Sequence, residues 1–158
     1  MRVIALEEHF TAPAIAGRID RQKVAERGYR PRRAPPAGPS PLELAPDLGA
    51  GRLGLMDEAS ITMQVLSNTG PGPDLVPGAA GVDLAKALND HLAEAVQRHP
   101  DRFAGFAVLP MRSPDAAATE LHPERHALSC QRAVRTRFRG RGGARAGGIA
   151  GAVDIEVV

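Results

Sequence analysis

Stretches of strand length alternate along this chain with stretches of helical period, and that alternation is what most limits its fold. Ile61-Thr62-Met63-Gln64-Val65-Leu66-Ser67 is a β-branched and apolar run, closed by the turn and breaker residues Asn68 to Pro73. From Asp83 to His99, Leu84, Leu88, Leu92 (with Ala95) and Val96 recur at helical spacing, and Pro100 ends the pattern. Phe103 to Leu109 reads as the next strand, ended by Pro110. Ser113-Pro114-Asp115 then reads as an N-cap followed by Pro at the first helical position, opening a helix through Leu121. Upstream, Val3 to Phe10 is a strand, and Leu53, Met56 and Ala59, with Leu55 beside them, mark a helix over 50–59. Strands joined through helices must run parallel, because the chain has to cross back before the next strand begins. The expectation is an α/β fold of about three βα units.

The first strand carries the chemistry. Its apolar run ends in Glu7-Glu8-His9 with no turn residue between. Strict alternation along a strand would put Glu7 and His9 on one face and Glu8 on the other. A carboxylate and an imidazole side by side suit a divalent ion such as Zn²⁺. Ser67 and Asn68 end the second strand, so they are the substrate-binding candidates, with a turn role as the alternative for Asn68.

Several strings resemble a known family. Ile4-Ala5-Leu6-Glu7-Glu8-His9-Phe10, Arg52-Leu53 with Met56-Asp57, and Gln64-Val65-Leu66-Ser67 are similar to the amidohydrolase-related metal-dependent decarboxylases. This is the family of the γ-resorcylate and aminocarboxymuconate-semialdehyde decarboxylases. Asn89-Asp90 with Leu92-Ala93 adds to the likeness. So do Pro100-Asp101-Arg102-Phe103, Gly105-Phe106-Ala107, Leu109-Pro110 and Pro114-Asp115-Ala116-Ala117. The resemblance runs in order from residue 1 to about 121. It implies a (β/α)₈ TIM barrel with a divalent metal, Zn or Mn, at the C-terminal ends of the strands. It also implies Glu7 and His9 as the first-strand metal ligands, and loss of CO₂ from an aromatic or unsaturated carboxylic acid, or hydrolysis of a related substrate. A full-length member is expected to be a homo-oligomer. Ser60 stands in a helix-to-strand turn where the family usually has Gly, which would strain a left-handed backbone if that turn needs one.

The remaining sequence departs from that pattern. A (β/α)₈ barrel takes about 250 residues, and 158 do not close one, so an incomplete barrel is expected. The family completes its metal shell with a His and an Asp from late strands, and no general acid is assignable in this chain. Through residue 121 the chain holds 13 Lys and Arg against 15 Asp and Glu, whereas residues 122–158 hold 7 Arg against 3 acids. That final segment is read as an irregular, basic Arg/Gly tail without apolar periodicity. Residues 135–143 are encodable as CGA ACT CGG TTT CGG GGG CGC GGT GGT, which read one base later spells Glu-Leu-Gly-Phe-Gly-Gly-Ala-Val-Val, a strand like the family's next one. The expectation is therefore a domain over 1–121 followed by a frameshift product over 122–158, inactive by itself. The alternative takes the tail at face value, as a non-catalytic fragment whose Arg137, Arg139 and Arg141 bind RNA or another acidic partner. Only one aromatic interleaves the arginines, so nucleic acid is not the expected partner; a small carboxylic acid is.

Other features carry less. Residues 28–51, with Pro31, Pro35, Pro36, Pro39, Pro41 and Pro46, read as a long Pro-rich loop. Cys130 is the only cysteine, which excludes a disulfide framework. His91 and His99 read as packing or solvated residues, His122 and His126 as a poor metal pair beside Pro123, and Asp57 as a helix-surface charge. No apolar run approaches the roughly 20 residues that span a bilayer, and no leader is recognisable, so a cytoplasmic protein without membrane partners is expected.

Overall fold

The computed structural model describes residues 2–15, 17–26, 28, 39–120, 134–138 and 153–157. His122, His126, Cys130, Arg139, Arg141 and most of the Pro-rich loop lie outside them.

Three strands, β1 (Ile4–Phe10), β2 (Met63–Asn68) and β3 (Phe103–Gly105), form one parallel sheet in the order β1-β2-β3. β2 lies in the middle, and its Met63, Gln64, Val65 and Leu66 are all buried, as expected of a parallel strand covered on both faces. The connection from β1 to β2 passes through α1 (Arg21–Glu26), α2 (Pro41–Leu44) and α3 (Ala50–Glu58), and that from β2 to β3 through α4 (Ala79–Arg98). Phe10, Leu66 and Phe103, one from each strand, form a single core cluster with Leu48, Met56, Leu92, Ala95 and Val96. Both crossovers therefore cover the same side of the sheet. Strands in sequential order with their helices on one side build a barrel wall, whereas a doubly wound sheet carries helices on both. β1 is an edge strand and leaves Ile4 44% and Leu6 67% exposed.

α4 is longer than its leucine stripe suggests, beginning at Ala79 after Gly78, which has φ +65°. β3 is shorter than the expected run to Leu109. The backbone of Val108 turns instead to a side chain, donating to Asn89 Oδ1 (2.7 Å) and accepting from Asn89 Nδ2 (3.0 Å). Asn89 Nδ2 also donates to the buried Glu120 at the end of α5 (Pro114–Glu120). Close approach of β3 to α4 requires Gly105, where a Cβ would collide with the Leu92 side chain.

The loop expected over 28–51 is not wholly irregular, because α2 sits inside it, closed by a capping box. Glu43 N–H donates to Ser40 Oγ (3.3 Å) and Ser40 N–H to Glu43 Oε2 (2.6 Å). The Ser40 backbone, and then its hydroxyl, hold the Glu43 carboxyl below its usual pKa. This cap is complete above the ordinary Glu pKa and is lost as pH falls through the lowered folded value.

Ser60 has φ +56° at the turn that follows α3, where its N–H donates to the Asp57 carbonyl (3.0 Å). The left-handed position is thus real and occupied by a residue with a Cβ. Ser60→Gly is expected to stabilise the protein by about 0.5–1 kcal/mol, read as a raised thermal midpoint. Asp57 is more than a surface charge. Arg102 Nη2 donates to its Oδ1 (2.6 Å), while Arg102 Nε holds the Thr62 carbonyl (3.0 Å), tying α3 to the start of β2. His91 stacks on Phe10 (6.5 Å between centroids) and His99 packs edge-on against Phe103 (5.8 Å), so both serve packing.

The tail is not uniformly irregular. β4 (Val134–Phe138) and β5 (Val153–Val157) pair antiparallel in a separate two-stranded sheet. Both alternate charged with uncharged residues, a period-2 signal that average composition hides. Their register sets Arg135 opposite Glu156 and Arg137 opposite Asp154. Among the described residues no helix is long and apolar enough to cross a membrane.

Candidate metal centre

The candidate site lies where β1 and β2 end side by side. Parallel register pairs His9 with Ser67 and Phe10 with Asn68. Residues opposite each other in a ladder share a face, so His9 and Ser67 come together. Asn68 shares the side of Phe10, which faces the helical core. Asn68 Nδ2 donates to the Thr69 carbonyl (3.0 Å), the turn role anticipated as its alternative. Its Oδ1 is buried and has no hydrogen-bond partner among the described residues.

The alternation expected through Glu7 is interrupted. Ala5 pairs with Gln64 and Glu8 with Leu66, so Leu6 and Glu7 together span the single step taken by Val65. This is a β-bulge, and Glu7 within it has φ +58°. A residue with a Cβ in that conformation costs about 1–2 kcal/mol. The bulge brings the Glu7 carbonyl within 3.0 Å of His9 Nδ1. A carbonyl only accepts, so Nδ1 must carry the proton. In the neutral ring Nε2 then holds a free lone pair, the state a metal ligand requires. Glu7 and His9 are both exposed. An anionic oxygen and a neutral imidazole nitrogen fit a divalent metal in kind. In number they fall short, since no cluster of three or more His, Cys, Asp or Glu suited to a metal occurs among the described residues.

Beneath this strand end lies a group whose role the sequence did not reveal. Arg52, near the start of α3, donates from Nη2 to the His9 carbonyl (2.7 Å), from Nη1 to Gln64 Oε1 (3.1 Å) and from Nε to the Asp47 carbonyl (2.8 Å). Asp47 in turn accepts from the Gly49 N–H (2.8 Å) and the Arg52 N–H (3.0 Å). A Cβ on Gly51 would collide with that carboxylate, so the helix start needs glycine there. Burial pushes the Arg52 guanidinium below its ordinary pKa, and the charges of Glu8 and Asp47 pull it back up.

No protein-family model matches the chain. It is 39% identical over 122 residues to the γ-resorcylate decarboxylase of Rhodococcus jostii, a match covering 75% of this chain and 33% of that protein. Its homologues are γ-resorcylate decarboxylases and other amidohydrolase-fold decarboxylases. The chain spans about a third of the length of the curated relatives it matches. Among solved structures, 5-carboxyvanillate decarboxylase of Novosphingobium aromaticivorans, complexed with manganese and 4-hydroxy-3-methoxy-5-nitrobenzoic acid, superposes with a TM-score of 0.64. That match has 31% identity and covers 81% of this chain and 39% of that one. Dihydroxybenzoic acid decarboxylase of Polaromonas, with bound manganese and the inhibitor 2-nitroresorcinol, superposes with a TM-score of 0.59 and 31% identity, covering 81% and 37%. The structural neighbours are amidohydrolase TIM-barrel proteins, in agreement with a sheet whose helices lie on one side. Manganese, one of the two metals expected, is the ion in these structures.

Proposed function

We propose that this chain supplies the first metal-ligand pair and the first three βα units of a manganese-dependent decarboxylase acting on a hydroxylated aromatic acid. In this reading Glu7 and His9 are ligands, and Ser67, beside His9, contacts the substrate. Asn68, on the opposite face with Phe10, is left to its turn role and is not proposed to touch the substrate. The metal, when bound, would orient the carboxylate and a neighbouring oxygen and act as a Lewis acid. The observation that carries the reading is the His9 ring, held at Nδ1 by the Glu7 carbonyl with Nε2 left for a metal at a strand C-terminal end. That end is where barrels of this type place their reactive groups.

With two donors and no assigned acid, the chain by itself is proposed to bind Mn²⁺ and not to turn over. The enzyme it would form part of is proposed to be a cytoplasmic homo-oligomer. Residues 122–158 are proposed to be a frameshift product. The test is to titrate the chain with Mn²⁺, following the free ion by electron paramagnetic resonance, and then to add 2,6-dihydroxybenzoate and assay CO₂. Expected are saturable Mn²⁺ binding and no CO₂ release. A chain that takes up no Mn²⁺ overturns the metal reading, and a chain that releases CO₂ overturns the proposed inactivity.

A further inference from the structure

We propose that Arg52 is a positioning residue for the metal end of β1, acting through the His9 carbonyl to keep the His9 ring in its metal-binding tautomer. The inference rests on the metal-site reading above. Its basis is where the guanidinium spends its donors. Three N–H groups go to three separate pieces of chain: the His9 carbonyl on β1, the Gln64 side chain on β2 and the Asp47 carbonyl ahead of α3. The other end of the residue is fixed as well, because its own N–H is held by the Asp47 carboxylate. Arg52 is thus a strut from the start of α3 to the penultimate residue of an edge strand.

That strand end needs a strut. Glu7 sits at φ +58° within the bulge, and a strained residue persists only where its surroundings over-determine it. β1 has a ladder partner on one side alone. Released from Arg52, the bulge would relax, the Glu7 carbonyl would swing away from Nδ1, and the ring would be free to carry its proton on Nε2. That tautomer cannot ligate a metal through Nε2. Lysine cannot substitute, since a point charge lacks the planar fork that reaches three acceptors at once.

The experiment compares the full wild-type chain with Arg52→Lys, Arg52→Met and, as a control, Arg102→Met, which removes an arginine from the opposite end of β2. Three quantities are read: the His9 tautomer from long-range ¹H–¹⁵N correlation without metal, Mn²⁺ affinity from free-ion paramagnetic resonance, and the thermal midpoint. Expected is a single Nδ1–H tautomer in wild type, a mixture in both Arg52 variants, and Mn²⁺ affinity lowered about tenfold or more. Arg102→Met should lower the midpoint and leave tautomer and affinity alone. Should Arg52→Met not fold, Arg52→Lys, which keeps the stem and the charge, decides the question. Arg52 variants that retain the wild-type tautomer and affinity overturn the proposal. If wild type binds no Mn²⁺ yet its tautomer depends on Arg52, the metal reading falls and the strut stands.

Discussion

A chain carrying Glu7→Gly together with His9→Ala is expected to lose Mn²⁺ binding altogether and to melt no lower than wild type. Both proposed donors are removed, and the described residues contain no other cluster suited to a metal. Stability should hold because each side chain is exposed and because Gly relieves the φ +58° of position 7. That relief of about 1–2 kcal/mol is offset by the roughly 0.5–1 kcal/mol of extra backbone entropy that glycine loses on folding. Glu7→Gly alone should therefore raise the thermal midpoint slightly while weakening Mn²⁺ binding. Glu7→Gln should keep the strain and lose the charge. Calorimetry and paramagnetic resonance on the same samples separate the two effects. Undiminished Mn²⁺ binding by the double variant would remove Glu7 and His9 from the site, and a midpoint lowered by many degrees would show that the bulge is not strained.

Leu66→Ala is the substitution expected to harm the fold most. Leu66 is 0% exposed in the central strand and belongs to the cluster joining Phe10, Phe103 and the two crossover helices. Truncating such a leucine costs about 2–5 kcal/mol, against a total of about 5–15 kcal/mol for an ordinary domain. A three-stranded sheet with two edges stands at the low end of that range. The variant should be largely unfolded at 37 °C, with its transition by far-UV circular dichroism broadened or lost. Far-UV detection is the right choice because the chain has no Trp and one Tyr. Leu6→Ala, on the exposed edge strand, should shift stability by about 0.5 kcal/mol or less. Equal costs at the two positions would contradict the placement of the core.

Much of the fold was legible because period and polarity agree with it. The apolar run of β2 is buried along four successive residues, and the leucines of α4 face the core they were expected to face. The resemblance to the amidohydrolase-related decarboxylases, read from short strings such as Glu7-Glu8-His9, is matched by homologues of that kind. Illegible were the elements whose hydrogen bonds are made at a distance. β3 stops early because Asn89, on a helix, takes over the Val108 backbone. Within the tail, β4 and β5 are illegible because an arginine-rich composition masks their alternation of charged and uncharged residues.

At the site the division is similar. The residue types at positions 7 and 9, and their place at the end of an apolar run, point to a carboxylate and an imidazole as candidate metal donors, and that role is a proposal. Sequence alone could not place the bulge, because register is a property of two strands and Leu6-Glu7 gains an extra residue only relative to Val65. Nor could it set the His9 tautomer, which follows from where the Glu7 carbonyl points once that bulge has formed. Arg52 could be read as one residue of a family string, 43 positions from His9. What makes it a neighbour of the strand end is the α3 crossover, which returns the chain across the sheet and spends three guanidinium donors on three separate segments. Local pattern determines which chemistry a residue can offer, and only the packing of distant segments decides which atoms meet, because hydrogen bonds act over a few ångströms of space whatever the separation in sequence.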